Sequence, residues 1–183
     1  MADRGDSDEA SLTVRSPSFV GRERQLAALA DAMAVQSSLV LVEGEAGIGK
    51  TRLVAEFLAR FPSQRFVLDH LAKPEIRHGR LHEWARGLEE VAAAPNLMAK
   101  LSGLVTEASW PDWTSEDLGP YLDVALDVFG PDRLMVGSDW PVCTLAGSYE
   151  QVMGVFSHYL DGRPEAARAA MLGGNARRFW HLD

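Results

Sequence analysis

The sequence predicts an α/β fold built around a parallel sheet, and three observations lead to this prediction. Beyond residue 65, three short apolar segments alternate with three amphipathic helical segments, in units of about 35 residues. A fourth apolar segment, earlier in the chain, ends in a glycine-rich turn that is followed by another helical pattern. With 183 residues, of which 46% are hydrophobic and 24% charged, the chain has globular composition and enough apolar side chains for a core.

The net charge of the chain argues against some classes of function. It carries 26 acidic and 18 basic residues, a net charge of −8, and so lacks the cationic surface that non-specific binding to nucleic acid or anionic membranes requires. No apolar run approaches the roughly 20 residues that span a bilayer, and the acidic start of the chain differs from a secretory signal. We therefore expect a cytoplasmic protein that binds neither nucleic acid nor membrane.

The chain divides by pattern into three parts. Residues 1–17 hold four acidic residues and three serines without apolar periodicity, and this composition predicts a disordered tail. Residues 18–62 form a strand–helix segment around the glycine-rich turn. Residues 63–183 contain the three strand–helix units, with no long linker before them.

The glycine-rich turn matches the P-loop pattern G-x-x-x-x-G-K-[ST] in full. Its residues are Gly44, Glu45, Ala46, Gly47, Ile48, Gly49, Lys50 and Thr51. The apolar run at 39–42 predicts a buried strand before it, and the apolar spacing over 52–60 predicts a helix after it. Glycines let backbone N–H groups surround a phosphate, Lys50 reaches the β- and γ-phosphates, and Thr51 offers a hydroxyl to Mg²⁺. The motif therefore predicts a site for Mg-ATP.

Residues 18–60 resemble the opening of the ATPase module found in AAA-type and LuxR-type transcriptional regulators. The resemblance rests on residues 19–23, the helical stretch 25–33 and the P-loop. Such modules continue into a Walker B strand, whose acid orders Mg²⁺ and the attacking water. The nearest later segment, 134–139, has Gly-Ser before its acid, so we expect a truncated module that binds a phosphate without turning over ATP.

The three later units place polar residues at the ends of their strands. Strands are predicted at 66–70, 97–102 and 134–139, and helices near 80–93, 115–129 and 147–160. Active sites of parallel α/β proteins lie at the carboxyl ends of the strands. Four polar residues occupy such positions here: His70, Lys100, Ser102 and Asp139. Taken singly, His70 is equally well explained as a core histidine and Asp139 as an exposed loop acid. Together, an imidazole and a carboxylate at one sheet edge can take a proton from water.

Residues 64–183 resemble the carboxyl-terminal half of the amidohydrolase-related family, in particular its L-fuconolactonase-like and pyrone-dicarboxylate lactonase-like members. Four blocks carry the resemblance: 69–74, 96–104, 129–142 and 174–180. It implies a partial (β/α) barrel of three to four strand–helix units that hydrolyses a cyclic ester. It also implies that Asp139 is the general base acting on water and that His70 polarises or orients the reacting groups. Lys100, Ser102 and Trp140 are candidate substrate contacts.

The chain departs from this family in two respects. A (β/α)₈ barrel typically takes about 250 residues, whereas 64–183 offers enough chain for three or four units. The His-x-His pair of the family's first strand has no counterpart in the sequence, so no complete metal site is predicted. His70 and Asp139 would be two ligands for a divalent ion such as Zn²⁺ if the rest of the barrel were supplied. We expect impaired hydrolysis, and self-association through exposed sheet edges.

Two alternatives stay open beside a lactonase-like hydrolase. In the first, the P-loop binds ATP and the rest of the chain is a structural carrier; in the second, neither site works. A further hypothesis for the apolar run at 39–42 is that it joins the parallel sheet of the later units and replaces a lost strand. The identity of the lactone does not follow from the sequence.

Overall fold

The computed structural model describes residues 21–34, 39–45, 47–110 and 112–182. In chain order, the helices and strands of these residues are α1 (Glu23–Ala32), α2 (Lys50–Arg60), β1 (Phe66–Leu68), α3 (Leu81–Ala92), β2 (Leu97–Leu101), α4 (Ser115–Phe129), β3 (Leu134–Val136), α5 (Tyr149–Leu160), α6 (Glu165–Ala169) and α7 (Asn175–Trp180). A π-helical turn, Ala170–Gly174, joins α6 to α7. No helix in these ranges has the length and apolar character needed to cross a membrane.

The three strands form one parallel sheet in the order β1-β2-β3. Phe66 pairs with Leu97, and Ala99 pairs with Leu134. Parallel neighbours need a crossover, and α3 and α4 supply the two crossovers. The α/β class and the parallel sheet predicted from the sequence are therefore confirmed. Within the described ranges β1 and β3 each have one paired side, and self-association through their free edges stays a prediction.

Alternation along β2 separates a core face from an open face. Leu97, Ala99 and Leu101 are buried, whereas Met98 and Lys100 are half-buried on the other side of the sheet. The buried set packs with apolar residues of α3 and α4 in the main core. Capping boxes begin α4, at Thr114, and α5, at Ser148. The sheet thus has a helix-covered face and a face on which polar side chains are accessible.

Helix α2 belongs to the same helical layer. It packs beside α3, and its Leu58 is buried in the main core. The side-chain amide of Asn96, just before β2, donates to the carbonyls of Phe61 and Gln64, both at 2.9 Å, and so ties the end of α2 to the sheet. A smaller core joins α1 to α2; its buried residues are Leu26, Leu29, Leu53 and Phe57.

The strand predicted at 39–42 is wrong, whereas the helix predicted after the glycine-rich turn is confirmed as α2. Leu39 and Leu41 are 87% and 77% exposed, and residues 39–42 pair with no strand of the described chain. The hypothesis that this run joins the parallel sheet is therefore also wrong. An apolar run forms a strand only beside a partner strand, and none lies next to it here. The predicted tail, 1–17, lies outside the described residues.

Candidate active site at the carboxyl ends of the strands

The structure brings four of the predicted site residues together on the open face of the sheet. His70 follows β1, Lys100 lies within β2, Ser102 follows β2, and Asp139 follows β3. All four line one open cavity of about 340 Å³. The other lining residues are Asp69, Met135, Val136, Gly137, Ala176 and Trp180. The cavity lies where the carboxyl ends of three parallel strands meet.

The imidazole of His70 is at the centre of the polar contacts. Its Nδ1 lies 2.8 Å from the hydroxyl oxygen of Ser102, which is a hydrogen-bond distance. Its Nε2 lies 3.6 Å from Oδ1 of Asp139 and 3.4 Å from Oδ2 of Asp69. The side chains of His70 and Asp139 are only 22% and 15% exposed, so water screens their interaction only in part.

Asp69 is a site residue that the sequence reasoning missed. Its Oδ1 forms an ion pair with Nζ of Lys100 at 3.0 Å, while its other oxygen faces His70. With Asp139, two carboxylates therefore lie beside the imidazole, and the one of Asp69 is paired with the ammonium of Lys100. The available signal was its position: Asp69 directly follows β1 and directly precedes His70.

The backbone that carries His70 adopts a rare conformation. Four consecutive residues, from His70 to Lys73, have φ between 48° and 58°. Left-handed backbone costs an L-residue roughly 1–2 kcal/mol, so tertiary contacts must hold this turn. Leu71 is fully buried, its carbonyl accepts a 2.7 Å hydrogen bond from Nε1 of Trp84, and Lys73 forms a 3.0 Å ion pair with Glu107. Strain of this kind is concentrated at functional sites.

Gly103 is required by its contact with His70. Its φ is +66°, and a Cβ at this position would lie 2.8 Å from Cγ and Nδ1 of the imidazole. Carbon atoms do not approach so closely without displacement, so any side chain here would push the ring away. The glycine therefore allows the His70 ring to lie directly against the turn after β2.

The tryptophan that lines the cavity is not the one predicted as a substrate contact. Trp140, predicted as a substrate contact beside Asp139, is 66% exposed and is not among the residues that line the cavity. Trp180, from α7 near the end of the chain, lines it instead. A contact between Trp140 and substrate stays a prediction.

Cys143 lies behind the Asp139 loop in the main core. Burial raises the pKa of its thiol, and the negative charge of Asp139 raises it further. Both effects favour the neutral thiol, and Cys143 packs in this core as a small apolar side chain.

The described residues do not form a complete metal site. No group of three or more His, Cys, Asp or Glu side chains in the described ranges is arranged to hold an ion. His70 and Asp139 would offer two donors, whereas the neighbouring carboxylate of Asp69 is paired with Lys100. Zinc sites use three or four protein ligands, so this donor set falls short.

The P-loop residues form a turn at the start of α2. Gly44, Gly47 and Gly49 have positive φ, and Nζ of Lys50 donates to the carbonyls of Gly44 at 2.7 Å and Glu45 at 2.9 Å. Thr51 lies in the first turn of α2, and Arg22 donates to the carbonyl of Ile48. Ala46 lies outside the described residues. The lysine therefore crosses the loop, although the described residues that lead into it, 39–45, form no strand.

Comparison with known proteins gives a match over the site-bearing part of the chain. The model of the amidohydrolase family matches residues 51–182. An L-fucono-1,5-lactonase of Burkholderia multivorans is 45% identical over 139 residues, covering 70% of this chain and 47% of that protein. An L-fucono-1,5-lactonase of Burkholderia ambifaria is 41% identical over 136 residues, covering 69% of this chain and 45% of that protein.

Solved structures agree with this match. The crystal structure of an amidohydrolase from Burkholderia multivorans with bound zinc superposes with a TM-score of 0.69 at 43% identity, covering 73% of this chain and 50% of that chain. The chain thus spans about half the length of the relatives it matches.

Proposed function

The chain belongs to the amidohydrolase family, and from this premise we propose that its carboxyl-end site hydrolyses a cyclic ester of the sugar-lactone class. One observation carries the proposal: Nε2 of His70 lies 3.6 Å from Oδ1 of Asp139 in a cavity at the ends of three parallel strands. An imidazole and a carboxylate in this arrangement can activate water. The relatives named L-fucono-1,5-lactonase support the choice of a lactone.

In the proposed reaction Asp139 is the general base. Its carboxylate takes a proton from a water molecule, and the water oxygen forms a bond to the carbonyl carbon of the lactone. The ring C–O bond then breaks, and the proton held by Asp139 passes to the departing alkoxide, which gives the open hydroxy acid. The left-handed backbone at Asp139, with a φ of 59°, directs its carboxylate toward His70.

His70 and Lys100 have supporting roles in this proposal. An N–H of His70 donates to the carbonyl oxygen as negative charge develops on it, which lowers the barrier more than the same bond does in the ground state. Lys100 balances Asp69 and orients the substrate from the floor of the cavity. No step uses a metal ion, because the described donor set is incomplete.

The charges that line the cavity favour a neutral polyhydroxylated lactone over a dicarboxylate. Two carboxylates, Asp69 and Asp139, face the cavity, and the charge of Lys100 is already paired with Asp69. A substrate that carries carboxylates would meet like charges without a free cation among the described lining residues. Hydroxyl groups, in contrast, find both donors and acceptors there.

The test is hydrolysis of a panel of sugar lactones by the purified chain and by Asp139→Asn. Removal of a general base lowers kcat by about 10²- to 10⁴-fold, and the free energy of unfolding should change little. Asp132→Asn, an exposed acid at the other end of β3, is the matched control and should keep the full rate. Full activity in Asp139→Asn would contradict the assigned base, and a folded chain that hydrolyses no lactone would contradict the proposed function.

We also propose that this chain turns over lactone more slowly than its longer relatives, of whose length it covers about half. In the described residues, three strands line the cavity from one side, so bulk water has access to the reacting groups. Water access weakens electrostatic stabilisation of the transition state. A direct rate comparison with the Burkholderia multivorans lactonase on the same lactone tests this expectation.

Binding of Mg-ATP at residues 44–51 is the second candidate function, and the position of Lys50 supports it. Its ammonium crosses the loop within 2.9 Å of two loop carbonyls, where it would meet a β- or γ-phosphate. A ligand at 100 times its dissociation constant stabilises the fold by about 2.7 kcal/mol. We expect Mg-ATP to raise the Tm of the chain but not that of Lys50→Met, with Lys73→Met as the control. Equal shifts in all three would contradict a P-loop site.

A further inference from the structure

We propose that Ser102 is a positioning residue whose hydroxyl donates to Nδ1 of His70 and thereby keeps the ring proton on Nε2. The catalytic meaning of this arrangement rests on the proposed function, whereas the tautomer itself does not. A neutral imidazole carries one N–H, and the partner of one nitrogen decides which nitrogen keeps it. The geometry around His70 assigns these partners.

The first part of the argument is the bond between Ser102 and His70. The hydroxyl oxygen and Nδ1 lie 2.8 Å apart, and Ser102 is only 2% exposed. Water therefore competes little for the Ser102 hydroxyl, which favours a persistent bond to Nδ1. Its burial also makes Ser102 a poor direct contact for substrate.

The second part is the environment of the other ring nitrogen. Nε2 faces Oδ2 of Asp69 at 3.4 Å and Oδ1 of Asp139 at 3.6 Å. Carboxylate oxygens accept hydrogen bonds and repel a lone pair, so the ring proton is stabilised on Nε2. Nδ1 is then the acceptor, and Ser102, which can donate or accept, must donate.

The third part is the close packing that fixes the position of the ring. Gly103 leaves only hydrogen beside Cγ and Nδ1, because a Cβ there would lie 2.8 Å from both atoms. On the backbone side, the left-handed turn is held by Leu71 and by its hydrogen bond from Trp84. A flipped ring would put a C–H in place of Nδ1 and would lose the Ser102 bond.

The consequence is a division of labour between the two site groups. With its proton on Nε2, His70 presents a donor to the cavity and can polarise a carbonyl oxygen, while Asp139 accepts the proton of water. With the proton on Nδ1, both groups would be acceptors. Ser102→Ala should therefore lower kcat about tenfold and leave KM nearly unchanged, because the lost contact matters in the transition state. Ser102→Cys keeps a weak donor of similar size, so its kcat should lie between those of the wild-type chain and Ser102→Ala.

The decisive test is NMR of the chain with ¹⁵N-labelled histidines on a metal-free sample. Long-range ¹H–¹⁵N correlations distinguish an Nδ1–H ring from an Nε2–H ring, and the His70 signals are assigned by their loss in His70→Gln. We expect the Nε2–H pattern in the wild-type chain and a mixed or Nδ1–H pattern in Ser102→Ala. Ser109→Ala removes an exposed serine downstream of the same strand and should preserve the wild-type pattern.

Each outcome decides the proposal. An Nδ1–H pattern in the wild-type chain, or an unchanged pattern in Ser102→Ala, would overturn it. An unchanged kcat in Ser102→Ala, with the tautomer altered, would overturn the positioning role while the lactonase proposal stands. The expected tautomer in a chain that hydrolyses no lactone would overturn the proposed function and leave the tautomer assignment supported.

Discussion

Arg133, directly before β3, and His70, two residues after β1, lie at opposite ends of the same three-stranded sheet. At the amino ends, polar side chains donate hydrogen bonds to backbone carbonyls at the ends of helices and strands. These side chains are Arg133, Asn96 and Asn175. At the carboxyl ends, the polar side chains of His70 and Ser102 contact one another instead. One end therefore joins elements of the fold, whereas the other end arranges reactive groups, as in other parallel α/β folds.

The Arg133 contacts show how strongly the amino end is tied. Its guanidinium donates to five carbonyls at the carboxyl ends of α3 and α4 and in β2: Ala92 at 2.9 Å, Ala94 at 3.2 Å, Leu97 at 3.5 Å, Phe129 at 3.1 Å and Val128 at 3.1 Å. A cation at a helix carboxyl end also interacts favourably with the helix dipole. At the carboxyl end, in contrast, His70 and Asp139 have left-handed backbone. Stabilising hydrogen bonds therefore lie at one end of the strands and strained backbone at the other.

The largest expected effect is on stability, at the amino end. Arg133→Met keeps much of the apolar stem but leaves five carbonyls without their donor, and it should lower the free energy of unfolding by about 3 kcal/mol. Arg60→Met removes an exposed i,i+4 ion pair with Glu56 and should cost at most about 0.5 kcal/mol. Urea unfolding measures both. A loss below about 1 kcal/mol in Arg133→Met would contradict the contrast between the two ends.

The sequence predicted the sheet and much of the site because these depend on local periodicity. Strands β1, β2 and β3 lie within the three predicted segments, and α3, α4 and α5 begin within two residues of their predicted starts. The grouping of His70, Lys100, Ser102 and Asp139 then follows from the rule that carboxyl ends of parallel strands meet. No contact had to be known in advance.

The remaining features depend on tertiary contacts, and the sequence carries no local signal for them. Leu, Ala and Lys have no preference for left-handed backbone, so the turn at 70–73 depends on the burial of Leu71 and the bond from Trp84. The run at 39–42 has the composition of a strand, but no strand in the described part of the chain pairs with it. The lining role of Trp180 depends on how α7 returns to the sheet, which periodicity does not reveal.

Two glycines with nearly the same φ sharpen the comparison between the ends. Gly103, at the carboxyl end of β2, has a φ of +66°, and Gly130, at the amino end of β3, has a φ of +68°. Replacement by alanine places a Cβ at positive φ in both cases. Gly103→Ala should lose about 1–2 kcal/mol of stability, and Gly130→Ala should lose at least as much, because its ψ of 168° puts it in a region that is essentially restricted to glycine. A Cβ at Gly130 has no neighbour within 4 Å, whereas one at Gly103 lies 2.8 Å from the His70 ring.

Gly103→Ala should therefore differ from Gly130→Ala in function. We expect it to lower kcat at least tenfold and to shift the His70 NMR signals, because a small displacement of a positioned group costs this much or more. Gly130→Ala should preserve both the signals and the rate per folded molecule. Equal effects of the two substitutions on the His70 signals would show that the ring is not held by the turn after β2.

The smallest expected difference between the ends is in their response to alkaline pH. Burial and the charge of Asp139 raise the pKa of the Cys143 thiol above its ordinary value of 9.0. As the pH rises past 9.0, the unfolded chain loses this proton while the folded chain keeps it, so the free energy of unfolding falls. Each unit of pKa difference corresponds to about 1.4 kcal/mol. Urea titrations between about pH 8 and 10 should therefore show a steeper loss of stability in the wild-type chain than in Cys143→Ala. The slope for Asp139→Asn should lie between these two slopes, because this substitution removes one of the two causes of the raised pKa. Parallel curves for the three chains would show that neither burial nor Asp139 holds the proton on Cys143.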